Sequence, residues 1–491
     1  MGVATLLRDK SRLCDAVADL VALGLILAAL TVALQTTRGL TAPNDPDHFR
    51  DVAQAQTVRD GHPLTDQYYR GEWAWYNPLL AWVLALASAV AGSRIEEAHV
   101  QLGPWMNLLG PIAFYALGIR LVGRQAAVAS LALYLFFVCG NEPSWAVATY
   151  SPWLFTGNFS QGIFFSAALA LLWAVDRPAT GRALIAGALI GLTFLAHTAP
   201  ALILAVVACA LWVTSPRILM TAGFAALVVA SPFLYGIGVH YHFHLLNRAP
   251  LSWRYPPITR NGLPETLQRN GLLIGAAVVG LVIAPSRLAA AWLVAAVGFL
   301  TYTVAPLPRL LPAFHFWLYT TAVLALLAGA TVAWLFPKPY TVPALTVLLV
   351  VLHWSTYVNR SDLVDGRHGS LERDPNHVAA SVFLRKVTRP NDVVLGTWGT
   401  VNLIIGPAGR KTVASDLFFS NPYVAYDSLT ADRDRMLVAI DDGDRATFTS
   451  LARQYGVSTV VLVGTRHCAA ATQLLSLEWS FGNVCVWGLR D

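Results

Sequence analysis

Apolar windows of helical length alternate with short, Arg-bearing connections as far as about residue 357, and shorter apolar runs among polar positions follow. A bilayer core of about 30 Å takes about 20 helical residues. Such windows lie at Ala16 to Gln35, Leu102 to Leu121, Ala126 to Cys139, Phe159 to Val175, Ala183 to His197 and Ala201 to Thr214. They continue at Leu219 to Val239, Gly271 to Ala284, Leu288 to Val304, Phe314 to Phe336 and Thr341 to Tyr357, which makes eleven spans. The apolar stretch Pro78 to Ala91 is short for a span and reads as interfacial or re-entrant. Arg8, Lys10 and Arg12 precede the first window, which is long enough to span and lacks a cleavage site, so it is not read as a signal peptide.

Charge fixes the expected direction. With a cytosolic N-terminus, the inner connections are Arg120 to Arg124, Asp176 to Arg182, Ser215 to Arg217, Pro285 to Arg287 and Pro337 to Pro339. Each carries Arg or Lys, as the positive-inside bias requires. A twelfth span at Pro78 to Ala91 would put Arg120 and Arg124 outside. With eleven, the long loops and the tail all fall on the extracytoplasmic side, including residues 36–101. In the tail, Pro375 to Val387 and Ala446 to Tyr455 read as helices and Asp392 to Thr397, Ser458 to Gly464 and Asn483 to Gly488 as strands. The expected organisation is a polytopic α-helical membrane domain over 1–357 and a small extracytoplasmic α/β domain over 358–491, with the polar stretch Asn359 to Pro375 as linker.

Composition supports a membrane protein: of 491 residues 56% are hydrophobic and only 13% charged, and mean hydropathy is +0.53, against about 25% charge in soluble domains. The net charge of +6, from 34 basic and 28 acidic residues, is too even for a nucleic-acid footprint. Arg greatly outnumbers Lys, which points to a bacterial inner membrane by association. Among five cysteines, only Cys468 and Cys485 are placed to pair.

Candidate chemistry gathers in the first long loop. Pro43-Asn44-Asp45-Pro46-Asp47-His48-Phe49-Arg50-Asp51 opens a pattern with Phe49, Val52, Ala53 and Gln56 on one helical face, suited to an amphipathic helix on the membrane surface. Asp45 and Asp47 at its start are placed to accept a proton from a hydroxyl or to hold a divalent cation such as Mg or Mn. Asp45 before Pro46 is equally an N-cap with Pro at the first helical position. His48 reads as a hydrogen-bonding surface residue. Further on, Tyr68, Tyr69, Trp73, Trp75 and Tyr76 crowd the stretch ending in Asn77-Pro78-Leu79. Such rings stack on sugars, and they also form interfacial belts without a ligand.

This first span, acid-led loop helix and Tyr/Trp-rich stretch resemble the GT-C superfamily of integral-membrane glycosyltransferases, which includes oligosaccharyltransferase catalytic subunits, protein O-mannosyltransferases and aminoarabinose transferases. The resemblance implies a GT-C-like fold, a catalytic or metal-binding acid at Asp45 with Asp47 second, and inversion at the sugar carbon. It implies a polyprenyl-phosphate sugar donor and a glycan, lipid or protein acceptor. Some relatives carry a second acid in the next external loop. Here Asn158 and Gln161 stand in that neighbourhood, with Glu142 at the loop's other end, which departs from a two-carboxylate metal site.

Basic residues on the expected outer side need compensation. His240-Tyr241-His242-Phe243-His244 is followed by Arg248, Arg254 and Arg260, and Pro306 to His315 contains Arg309. A lipid-linked phosphate would satisfy them, since Arg binds phosphate with a planar fork; anionic headgroups would as well. His197, beside Thr198 and Pro200 at a helix end, either lines a cavity or satisfies backbone groups freed near the proline. The candidate substrate contacts are therefore Tyr69, Trp75, Tyr76, Asn77, Glu142, Arg248, Arg254, Arg309 and His315. A transporter of lipid or polysaccharide without bond chemistry is the alternative, although mid-span ionisable residues, the usual mark of transport, are nearly absent.

Overall fold

The computed structural model describes residues 2–137, 149–247, 262–301, 313–338 and 340–489. Every expected window is helical where described. Among the described residues, six helices are long and apolar enough to cross a membrane: Leu13–Thr37, Ile95–Val122, Thr156–Asp176, Pro216–His240, Trp317–Leu335 and Thr341–Leu371. Leu79–Ala91, Thr180–Ala196, Thr198–Leu211, Asn270–Ile283 and Arg287–Leu300 are apolar but shorter. At 1.5 Å per residue, the 17 residues of Thr180–Ala196 fall just short of the hydrocarbon thickness.

The chain divides into two compact units, and the division does not follow the expected break at 357/358. One comprises residues 1–39, 101–230 and 254–367; the other comprises 40–100, 231–253 and 368–491.

In the helical unit, aromatic side chains interlock in the core. Phe114 stacks on Tyr134 at 4.4 Å, Phe164 meets Trp292 at 5.1 Å, and Phe164 also meets Tyr319 at 5.1 Å. Small residues let backbones approach where bulk would not fit. A Cβ on Gly329 would lie 2.1 Å from Ser130 Oγ and 2.6 Å from Ala126 O, and Ser130 Oγ donates to Leu326 O across the same seam at 2.9 Å. The expected linker is helical instead, over Ser361–Leu371. Its polar start is tied down: Arg360 pairs with Asp362 at 3.0 Å and Trp153 Nε1 donates to Asp362 O at 2.7 Å. Trp153 is 209 residues away in the chain, so local polarity misreads the segment as loose.

The second unit is built on a five-stranded sheet of β1 (Val393–Leu395), β2 (Lys411–Thr412), β3 (Val457–Val463), β4 (Ser476–Phe481) and β5 (Val484–Gly488), in the order β2-β1-β3-β5-β4. β1 runs parallel to β2 and β3, while β5 is antiparallel to β3 and β4. Alternate residues feed two apolar clusters: Val394, Val461, Val484 and Val486 on one face, and Val393, Leu395, Val460, Leu462 and Trp487 on the other. A sheet covered on both faces explains the nearly continuous apolar runs of β1, β3 and β5. Cys468 and Cys485 form the expected disulfide.

The first long loop is part of this same unit. Ala53, Tyr68 and Tyr69 join the cluster of Val394 and Val461. Asp60 receives Arg385 at 3.0 Å and Arg410 at 3.2 Å, and Arg373 meets Glu96 at 2.7 Å. The Pro46–Arg59 helix is therefore not an amphipathic helix on a surface: every residue from His48 to Thr57 is buried. Its polar residues find partners from distant parts of the unit, which a single-helix periodicity cannot register.

Gly329→Val is expected to lower the unfolding midpoint of the detergent-solubilised protein, costing about 1–3 kcal/mol through overpacking. Gly223→Ala, where nothing lies within 4 Å, leaves the midpoint unchanged or raises it in the same melting assay.

Candidate active site

The Pro46–Arg59 helix starts as its sequence predicts. Asp45 is extended, Pro46 occupies the first turn, and Asp45 Oδ1 accepts from Asp47 N at 2.8 Å. The cap uses one carboxylate oxygen; the other takes part in no hydrogen bond among the described residues. Asp45 thus fulfils the capping reading and still presents a half-buried oxygen.

Three residues further on, Arg50 organises the acids. Its side chain is 5% exposed, and Nη1 donates to Asp47 Oδ1 at 2.6 Å. Its Nε and Nη2 both donate to Asp51 Oδ1, at 2.9 and 2.8 Å. The guanidinium also lies 3.8 Å from the centre of the Tyr76 ring and 5.5 Å from that of Phe419, a cation–π arrangement strengthened by burial. One cation therefore faces three carboxylates, and Asp51 Oδ2 is buried without a partner among the described residues. Burial outweighs Arg50 for every acid: it raises the proton affinity of Asp45 and Asp47 and pushes Asp51 up to about 7.

His48 is not at the surface. It is buried with its ring 4.6 Å from that of His99. Burial, and then Arg50, push it down to about 3, so its imidazole is neutral at neutral pH. A divalent cation does not fit the acids as arranged. Among the described residues no three His, Cys, Asp or Glu side chains gather into a metal-holding group, and the guanidinium of Arg50 holds one oxygen each of Asp47 and Asp51.

The sequence candidates separate. Tyr76 joins the acid cluster beneath Arg50, with Trp75 against its edge at 5.5 Å, and Asn77 is buried beside them in the chain. Tyr69 instead bonds Ser420 and Ser415 through its hydroxyl, at 2.8 and 3.2 Å. The turn carrying these rings is pinned by buried Asp66, which accepts from Tyr68 N, Tyr69 N and Asn421 Nδ2. His315 lies in the helical unit, where its ring is 4.8 Å from that of His197, and His197 Nδ1 accepts from Ala199 N at 3.2 Å, ending as a helix cap. Gln161 bonds Tyr134 and Thr149 in the core of that unit. Glu142, Arg248, Arg254 and Arg309 lie outside the described residues. Sequence reasoning counted Asp51 as a third nearby acid but gave Arg50 no part in the cluster; the signal available was the adjacent pair Arg50-Asp51 one turn after Asp47.

No protein-family profile and no curated protein matches this chain. Solved structures do. An ArnT from Cupriavidus metallidurans, bound to undecaprenyl phosphate, superposes with a TM-score of 0.60 at 13% identity, covering 95% of this chain and 97% of that one. The oligosaccharyltransferase AglB of Archaeoglobus fulgidus, solved with an inhibitory peptide and a dolichol-phosphate, gives 0.57 at 14% identity, covering 90% and 69%. This chain has the GT-C fold. The arabinofuranosyltransferase AftD from Mycobacteria shares it at a TM-score of 0.58 and 12% identity, over 95% of this chain and 39% of that one. The GT-C resemblance expected from the first loop is therefore present across the whole architecture.

Removing Arg50 strands Asp51 in the interior. Arg50→Ala is expected to cost about 3–5 kcal/mol, and Arg50→Ala combined with Asp51→Asn to recover part of that loss. Thermal unfolding of the two variants in detergent measures both.

Proposed function

We propose that the chain is a membrane glycosyltransferase, moving a sugar from a polyprenyl-phosphate donor to an acceptor hydroxyl on the extracytoplasmic face of a bacterial inner membrane, with inversion. The observation that carries this reading is the half-buried Asp45 carboxylate, raised in proton affinity and set beside an Arg50 that already engages Asp47 and Asp51. The GT-C fold supports it, as do the lipid phosphates named with the ArnT and AglB structures.

In this mechanism Asp45 accepts the acceptor's hydroxyl proton while the oxygen attacks the anomeric carbon. The carbon–oxygen bond to the lipid phosphate breaks, and the electron pair leaves with that phosphate. Asp45 is a better base than Asp47 because Asp47 Oδ1 is held by Arg50 at 2.6 Å, which stabilises its ionised form. Arg50 fixes the acids and Tyr76 relative to one another, so that positioning contributes to the rate. His315, Arg309, Arg248 and Arg254 are the proposed contacts to donor phosphate, and Glu142, Trp75, Tyr76 and Asn77 to sugar or acceptor. The eleven-span topology, with a cytosolic N-terminus, belongs to the same proposal.

Mass spectrometry of lipids copurified with the protein is expected to find a polyprenyl-phosphate sugar and to identify the donor. With that donor, Asp45→Asn lowers turnover by about 10²–10⁴-fold while the melting curve stays close to that of the parent. Asp47→Asn has the smaller effect. Because Asp45 must be ionised to act and burial raises its proton affinity, kcat/KM falls as pH drops, with its acid limb above the ordinary aspartate range. Parental turnover by Asp45→Asn would remove Asp45 from the base role.

A further inference from the structure

A hollow lies in the sheet-bearing unit, lined by none of the acids discussed above. It has a volume of about 690 Å³, and its lining includes Arg70, Glu72, Thr412, Tyr423, Arg453 and Tyr455. Arg453 and Gln454 also line a hollow of about 700 Å³ along the Arg445–Tyr455 helix. The size suits a chain of a few sugar units.

The lining is short of its own partners. Arg70 and Arg453 are exposed and have no acid paired with them among the described residues. They stand on one rim: Arg70 Nη1 lies 3.1 Å from where a Cβ on Gly456 would sit, three residues after Arg453. Glu72, the acid of the lining, has its Oε2 held by the Tyr241 hydroxyl at 2.9 Å. Tyr423 is braced at the wall by Tyr241, whose ring stacks on it at 4.1 Å and 6°. The Tyr455 hydroxyl is committed to Asp432 at 2.6 Å, which fixes that ring. Fixed aromatic rings and two guanidinium groups with no acid paired to them among the described residues together match a sugar chain that carries negative charge.

We propose that this trough binds an anionic oligosaccharide, one bearing carboxylate or phosphate groups, and that it is the acceptor's docking site. The word acceptor rests on the transferase reading; the binding does not, and it is measured without turnover. Purified full-length protein in detergent is titrated by calorimetry with tetragalacturonate and with maltotetraose. The acidic probe is expected to bind and the neutral one to bind more weakly. Arg70→Glu with Arg453→Glu weakens the acidic probe roughly tenfold or more, with Arg453→Gln as the milder variant should the pair unfold. Asp45→Asn binds tetragalacturonate as the parent does, so loss of transfer in that variant and loss of docking in the arginine variants are read separately. Equal affinity for both probes, or tetragalacturonate binding indifferent to the arginines, overturns the proposal. So does arginine-dependent binding to anionic phospholipid vesicles without binding of tetragalacturonate, since that outcome assigns the trough to a lipid surface.

Discussion

The burial of Arg50 governs the chemistry of the sheet-bearing unit. A guanidinium almost out of contact with solvent must have its charge answered, and here Asp47, Asp51 and the faces of Tyr76 and Phe419 answer it. Its planar fork explains why the residue is Arg. Two nitrogens converge on one Asp51 oxygen while a third reaches Asp47, and the flat group still lies over a ring. Lysine offers a point charge and no such plane. Burial outweighs that one cation and leaves proton affinity raised at the start of the helix, where Asp45 and Asp47 stand.

That arrangement needs a rigid surround, and the tail supplies it. The helix bearing the acids joins an apolar cluster made largely by sheet strands and by Ile404 and Ile405. Around this cluster, buried ion pairs such as Arg373 with Glu96 and Arg410 with Asp60 join the loop to the tail. Such pairs contribute less to net stability than to specifying one arrangement, because removing either partner leaves an unanswered charge. The Asp66 turn works in the same way, collecting two backbone amides and the Asn421 side chain so that the aromatic stretch holds one conformation.

Most of the architecture was legible in the sequence because its signals are local. Long apolar windows marked the helices, the Asp-Pro step at Asp45 marked a helix start, and continuous Val-rich runs marked β1, β3 and β5. The two cysteines of the tail were placed to pair, and they do. What escaped is long-range. β2 is the two residues Lys411 and Thr412, with no periodicity to detect, and β4 is an exposed edge of mixed polarity. The polar start of Ser361–Leu371 looked like a linker because Trp153 and Tyr150 are far away in the chain. The helix after Asp45 was read as one-sided from the shared face of Phe49, Val52, Ala53 and Gln56, whereas Gln54 donates to Tyr76 O and Arg50 is enclosed. Asp45 and Tyr76 were found as candidates; the cation that relates them was not.

The bond between Asp60 and Arg410 spans 350 residues of chain. Synthesis from N- to C-terminus makes the acid-bearing helix long before the strands that enclose it. The contacts of Arg50 are therefore completed only once Phe419 has emerged from the ribosome. A product that stops before β5 still lacks a strand of the surrounding apolar cluster.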